Sequence, residues 1–105
     1  MQTIPFDKRV GSIWMNGVYK EWQDCQIHVL NHGLHYGSCV FEGIRIYDGK
    51  IFKLVEHIER LYKSAELLDL EIPFRKDEII EITYQLTKKQ KVNNGYIRPV
   101  VWRGK

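Results

Sequence analysis

The strongest structural signal in the chain is the stretch Cys39-Val40-Phe41-Glu42-Gly43-Ile44-Arg45-Ile46-Tyr47, which continues as Asp48-Gly49-Lys50-Ile51-Phe52. Alternate residues of a strand point to opposite faces of a sheet, and Asp-Gly is a preferred two-residue turn, so the stretch predicts a β-hairpin. An arginine and a glycine between aromatic rings are unusual for a plain core. One face of the strand would hold Phe41, Gly43, Arg45 and Tyr47, and the other would hold Glu42, Ile44 and Ile46.

Before this hairpin, the pattern predicts a second one. Asn16-Gly17 lies between apolar segments and is a strong hairpin signal, because both of its residues accept positive φ. Residues 26–30 alternate in polarity and predict a further strand, ended by a turn at Asn31-His32-Gly33. Residues 1–11 are mixed in character, and we expect them to form a loosely held N-terminal arm in front of one domain, residues 12–105.

After the hairpin, the periodicity becomes helical. Residues 54–70 carry an apolar stripe and should form a helix that Pro73 ends. A second helix is expected over residues 76–92, and the following Asn93-Asn94-Gly95 should stop it. The stripe of the first helix consists of Leu54, Ile58, Leu61, Ala65 and Leu68.

A last strand is expected over residues 96–102, where Pro99 should mark an edge or an irregularity because proline donates no ladder hydrogen bond. The order of strands, two helices and a strand predicts an α+β fold, with two helices packed on a mostly antiparallel sheet.

The composition is that of an ordinary globular domain of 105 residues with a net charge of +3. The densest basic run, residues 88–91, ends a predicted helix, where cations complement the helix dipole, so it does not indicate nucleic-acid binding. No segment reaches the roughly eighteen apolar residues of a membrane span. Cys25 and Cys39 have no metal-ligand spacing, and Cys39 is interpreted as a small core residue. Together with the lack of an export signal, these features predict a cytoplasmic protein.

Four groups of residues could carry chemistry, and each has a plain structural alternative. Arg60 either pairs with Glu56 one helical turn earlier or binds a phosphate through its planar fork. Tyr96 and Arg98 share a strand face and either line a cleft or guard an edge strand.

The face of Phe41, Gly43 and Arg45 is either a binding surface or an ordinary strand surface. His32 and His35 lack a third ligand at a familiar spacing, so we expect no metal site there.

As an ordered set, four motifs resemble the start of branched-chain amino-acid aminotransferases, which belong to the type IV fold of pyridoxal-phosphate enzymes. The Phe-Glu-Gly-x-Arg string is similar to the branched-chain group rather than to D-amino-acid aminotransferases or aminodeoxychorismate lyases. The resemblance implies the small N-terminal domain of that fold. The motifs are residues 14–17, 35–45, 57–61 and 96–99.

The resemblance also implies roles for single residues. Arg60 corresponds to the arginine that binds the phosphate of pyridoxal 5′-phosphate. Arg98 corresponds to the partner of a glutamate carboxylate, and Tyr36 to a tyrosine that reaches the neighbouring subunit of a dimer. Arg45 falls on the pocket side with a less defined role. The pocket-lining positions are Phe41, Gly43, Tyr96 and Arg98.

The family's catalytic lysine, which holds the cofactor as a Schiff base, belongs to a second domain, and none of the ten lysines here falls at a matching position. We therefore expect no catalytic residue in this chain and no activity from it alone, as for a truncated or split-gene product. Activity would need a separate chain that supplies the second domain. The alternative is a non-catalytic module that self-associates through a bared face holding Phe41, Tyr96 and Trp102.

Overall fold

A computed structural model describes residues 4–104, and within this range it contains seven short strands and three α-helices. All of the strand pairings are antiparallel, which confirms the predicted α+β class. The strands are β1 (Ser12–Met15), β2 (Val18–Glu21), β3 (Cys39–Phe41), β4 (Ile44–Tyr47), β5 (Lys50–Ile51), β6 (Gly95–Ile97) and β7 (Val100–Trp102). The helices are α1 (His32–Tyr36), α2 (Leu54–Leu67) and α3 (Lys76–Lys89).

The centre of the fold is a ribbon formed by residues 39–47 and 95–102, which is interrupted in the middle and is joined beside β4 by the short strand β5. Strand β3 pairs with β7 and strand β4 pairs with β6, so the stretch predicted as one strand is divided at Glu42-Gly43. The opposite side is divided at Arg98-Pro99, as expected for a proline in a strand. Both ladders keep one register, because Phe41 lies opposite Val100 and Ile44 lies opposite Ile97.

Both predicted hairpin turns are confirmed. Asn16 and Gly17 connect β1 to β2 with φ values of 52° and 95°, and Asp48 and Gly49 connect β4 to β5 with φ values of 49° and 78°. Positive φ at both central residues is the geometry that matches the twist of the flanking strands.

The predicted arm lies partly within the described range. Residues Phe6–Lys8 form a 3-10 turn, and the side chains of Trp22 and Gln23 donate hydrogen bonds to the carbonyl groups of Phe6 and Lys8. The arm is therefore attached to the end of the first hairpin over these residues. The rest of the expected arm, residues 1–3, lies outside the described range.

The core lies between the ribbon and the two long helices. Ile44, Leu54 and Ile58 are buried at its centre, and Tyr62 and Ile97 pack against them. The apolar stripe of α2 is confirmed for the four buried residues Leu54, Ile58, Leu61 and Ala65.

Both long helices are shorter than predicted. Helix α2 ends at Leu67, well before Pro73, because Asp69 takes a left-handed conformation with φ of 54°. Leu68 is therefore exposed rather than part of the stripe, and Leu70 turns back into the core. Helix α3 ends at Lys89 instead of residue 92.

The prediction of a strand over residues 26–30 was wrong. These residues are irregular, and Ile27, Val29 and Leu30 are exposed, since no neighbouring strand within the described range pairs with them. The predicted turn that follows is instead the start of α1, where the side chain of Asn31 accepts a hydrogen bond from the amide of Gly33 at 2.9 Å. Alternating polarity predicts a strand only where a sheet offers one face a place to pack.

Candidate functional site

Near the interruption, two groups of polar side chains lie on opposite sides of the ribbon. Glu42 points toward helix α2 and is buried, with 5% of its side chain exposed. The neighbouring residues Phe41 and Gly43 lie on the other side of the ribbon, as the alternation predicts. We call the helix side the inner face and the opposite side the outer face.

On the inner face, one carboxylate joins two basic side chains of α2. Arg60 donates from Nε to Oε2 of Glu42 at 2.8 Å and from Nη2 to Oε1 at 2.7 Å. Nδ1 of His57 lies 2.7 Å from the same Oε1. His57 and Arg60 are three residues apart and thus lie on one side of the helix, so both can reach Glu42.

This network sets the charge state of Glu42. The hydrogen bonds from Arg60 stabilise the carboxylate and hold the pKa of Glu42 below its usual range, although burial acts in the opposite direction. The same pair raises the pKa of Arg60. The structure therefore holds a carboxylate at neutral pH in a position that water hardly reaches.

The two alternatives for Arg60 are both changed by this geometry. The expected salt bridge with Glu56 is wrong, because Glu42 from the ribbon takes Arg60 instead. Glu42 occupies only the Nε–Nη2 edge of the guanidinium, and 67% of the Arg60 side chain is exposed. Guanidinium carries five N–H donors, so the remaining donors are available to an external anion.

On the outer face, Arg98 lies between aromatic rings. Its guanidinium carbon is 4.5 Å from the ring centre of Phe41 and 5.9 Å from that of Tyr96. Both rings are about half exposed, at 53% and 52%. Contact with aromatic faces attracts the cation, and Arg98 remains exposed, so its N–H donors can reach a carboxylate from solvent.

Gly43 lets this cluster form. A Cβ atom on Gly43 would lie 3.0 Å from Cζ of Tyr96 and closer still to its hydroxyl oxygen. The ring of Tyr96 therefore lies across the backbone at the interruption, where Gly43 has no side chain. The outer face brings together Phe41, Gly43, Tyr96 and Arg98.

The other two candidate residues lie at the margins. Arg45 is the register partner of Tyr96 and is exposed on the same face. Tyr36 is the last residue of α1 and is 75% exposed, and its ring lies 4.5 Å from that of His32. The structure thus places Tyr36 in an exposed position at the end of α1.

Two further expectations need correction. Cys39 is exposed rather than buried, because it falls on the outer face in register with Trp102. Trp102 is only partly exposed, because α1 packs over it, and a Cβ atom on Gly33 would lie 3.3 Å from Cβ of Trp102.

Two broader features of residues 4–104 bear on function. Within this range, no three His, Cys, Asp or Glu side chains are grouped as a metal site would require. In the same part of the chain, no helix combines the length and apolar character needed to cross a membrane.

The sequence interpretation missed Glu42 and His57. A signal for Glu42 was present, since alternation placed this acid on the face of Ile44 and Ile46, and a carboxylate among core residues requires partners. The two basic residues at positions 57 and 60 on the next helix were the available partners.

Comparison with known proteins adds a family and several relatives. Residues 39–105 match the family model described as amino-transferase class IV. A probable branched-chain-amino-acid aminotransferase of Rickettsia felis is 46% identical over 104 residues, which cover 99% of this chain and 36% of that protein.

Solved structures agree with the fold. A crystal structure of the Escherichia coli branched-chain amino acid aminotransferase gives a TM-score of 0.87 at 37% identity, covering 92% of this chain and 33% of that one. The T.th. branched-chain amino acid aminotransferase, complexed with N-(5′-phosphopyridoxyl)-L-glutamate, gives 0.86 at 42% identity, covering 91% and 34%. The chain spans about a third of the length of the relatives it matches.

Proposed function

The chain belongs to the class IV aminotransferase family and matches the N-terminal region of its branched-chain members, and we propose that it forms the cofactor-phosphate and substrate-binding part of such an enzyme. The reaction proposed is transamination of leucine, isoleucine and valine with 2-oxoglutarate. The observation that carries the proposal is the presence of two exposed arginines beside the interruption of the ribbon: Arg60 of α2, which is bonded to Glu42, and Arg98, whose guanidinium lies over Phe41.

The cofactor of the proposed reaction is pyridoxal 5′-phosphate, and Arg60 is the residue that would hold its phosphate. The fit rests on the donors of Arg60 that Glu42 leaves unused and on the exposure of this side chain. Charge-assisted hydrogen bonds from a planar guanidinium suit a phosphate well. When bound, the cofactor supplies an electron sink for chemistry at the α-carbon of the amino acid.

The outer face would bind the substrates. Arg98, which lies near both rings, would hold a carboxylate of glutamate or 2-oxoglutarate, and the rings of Phe41 and Tyr96 would contact a branched aliphatic side chain. Gly43 keeps the space beside β4 open for Tyr96. We assign Arg45 to the rim of this surface and Tyr36 to the pocket of a second subunit in a homodimer.

The proposed transamination needs a lysine for its proton transfer, and the strands that form the two faces do not offer one. The strands on both sides of the interruption, residues 39–47 and 95–102, contain no lysine. We therefore propose that these 105 residues do not catalyse transamination alone and that the lysine comes from a C-terminal domain or a separate chain. We place the enzyme in the cytoplasm.

Binding of pyridoxal 5′-phosphate to the 105-residue chain tests the proposal. We expect saturable absorbance changes in the wild type, and we expect Arg60→Ala to weaken binding by at least about tenfold because a charge-assisted contact is lost. Arg75→Ala is the matched control, since Arg75 is a similarly exposed arginine at the start of α3.

Pyridoxal without the phosphate should bind wild type and Arg60→Ala equally. The cofactor role of Arg60 would be refuted by equal binding of pyridoxal 5′-phosphate to wild type and Arg60→Ala.

A second candidate is a non-catalytic module that associates through its outer face. The half-exposed rings of Phe41 and Tyr96 favour it, because exposed apolar surface promotes association. Sedimentation of the chain at high concentration distinguishes this candidate, since a clean monomer contradicts it.

A further inference from the structure

The inner face contains a carboxylate with no place in the proposed reaction. Glu42 is buried under α2, and the observed hydrogen bonds of its carboxylate go to His57 and Arg60. A buried carboxylate is unfavourable unless it is paired, and an apolar residue at this strand position would pack with Ile44 and Ile46 at lower cost. The position therefore calls for an explanation beyond packing.

The bonding pattern supplies that explanation. Glu42 accepts from both Nε and Nη2 of Arg60, which fixes the plane of the guanidinium as well as its position. His57 contacts the same carboxylate from the preceding turn of α2, so the acceptor itself is held from a second direction. An arginine that is 67% exposed would otherwise sample many rotamers.

We propose that Glu42, supported by His57, is a positioning residue that presents the free edge of Arg60 to the phosphate of the cofactor. This inference rests on the proposed role of Arg60. Glu42 itself does not touch the anion, since its carboxylate would repel it. It acts by reducing the rotamer freedom that Arg60 would lose on binding, which is the general effect of preorganisation.

The first measurement needs only the wild-type chain. The Nε–H proton of Arg60 should exchange slowly with water in NMR spectra, because it is bonded to a buried carboxylate. That of Arg98, which lies over an aromatic ring and has no carboxylate partner among the described residues, should exchange fast. Fast exchange at Arg60 would overturn the inference without any variant.

The second measurement compares the affinity for pyridoxal 5′-phosphate in Glu42→Gln with that in Glu56→Gln. Glu56 is an exposed acid on the same helix, so this control removes the same charge without touching Arg60. Glu42→Gln should weaken binding by about tenfold, in the range typical of lost outer-shell partners, and Glu56→Gln should not. Glu42→Asp replaces Glu42→Gln in this comparison if Glu42→Gln does not fold, because aspartate keeps the charge and has a shorter side chain.

A double variant separates positioning from a general structural effect. Glu42→Gln should add no further loss in the Arg60→Ala background, because Glu42 acts only through Arg60. The inference is overturned if the losses of affinity in the two single variants add in the double variant. It is also overturned if Glu42→Gln binds as tightly as wild type while Arg60→Ala binds weakly. Both outcomes leave the proposed function standing. Equal binding by wild type and Arg60→Ala, or no binding by wild type, overturns the cofactor role and this inference together.

Discussion

The two faces of the interrupted ribbon differ in how their charged groups are satisfied. On the inner face, Glu42 is buried and is bonded by two side chains of α2. On the outer face, the guanidinium of Arg98 lies over aromatic rings and has no ion-pair partner among residues 4–104, and the two rings are half exposed. The inner network is thus complete within the chain, whereas the outer cluster has donors without an acceptor. A fixed network suits a permanent task such as holding an arginine, and an open cluster suits a ligand that must enter and leave.

The largest difference between the two faces should appear when one apolar side chain is removed from each of them in turn. Ile44→Ala should reduce the free energy of unfolding by about 2–5 kcal/mol, because Ile44 is fully buried and the change leaves a cavity. Phe41→Ala, on the outer face, should cost less than about 1.5 kcal/mol, since its ring is half exposed. Urea denaturation of both variants measures the difference. Equal losses would mean that the outer face is covered in solution.

A methyl group at the interruption tests the crowding on the outer face. Gly43→Ala should destabilise the fold by about 1 kcal/mol and move the ring of Tyr96 outward, because the new Cβ meets that ring while a half-exposed tyrosine can yield. Thermal unfolding and the NMR shifts of Tyr96 report both effects. Gly104→Ala is the control, since no described atom beyond its chain neighbours lies within 4 Å of its added Cβ. Unchanged shifts of Tyr96 would contradict the described packing.

Acid should remove the contribution that the hydrogen bonds of Glu42 make to the free energy of unfolding. The folded pKa of Glu42 lies below its ordinary value of 4.5, so the stabilisation is present above about pH 4.5 and is lost as the pH falls through the lowered folded value. The unfolding free energies of wild type and Glu42→Gln should therefore converge toward low pH. The effect is smaller than that of Ile44→Ala because Arg60 is solvated. A difference that stays constant from neutral pH to acid would argue against a paired carboxylate.

The smallest effect should come from the outer arginine. Arg98→Met should change the free energy of unfolding by less than about 0.5 kcal/mol, as for a surface side chain, since Arg98 is exposed and has no ion pair within residues 4–104. Arg60→Met should destabilise more, because it leaves Glu42 buried with one partner fewer. Guanidinium chloride curves of the two variants make the comparison, and a larger loss for Arg98→Met would reverse the assignment of the two faces.

The sequence predicted those parts of the fold that local rules control. Asn16-Gly17 and Asp48-Gly49 formed the expected turns because their positive φ values are a property of the residues themselves. The buried stripe of α2 followed from its spacing. The strand expected over residues 26–30 failed because alternation measures only a preference for burial, and no sheet edge in the described range meets this segment.

The sequence pattern predicted the faces of the strand residues in the candidate site but did not predict the partner of Arg60. Phe41, Gly43 and Arg98 came together because period-two alternation decides the face of each residue and antiparallel pairing aligns the strands. The partner of Arg60 was not predictable by the helix rule, which compares residues three or four positions apart and selected Glu56. The observed partner, Glu42, belongs to the ribbon and meets Arg60 only after α2 packs on it.

The single register that β3, β4, β6 and β7 share has a consequence for how such a chain can vary. Because side chains alternate, adding or removing one residue within the ribbon would exchange its faces, placing Glu42 in solvent and Phe41 against α2. Length changes in the ribbon are therefore tolerable only in even steps, whereas the loop between α2 and α3 is free of this parity rule. Related chains should therefore differ freely in the length of that loop and, within the ribbon, only by even numbers of residues.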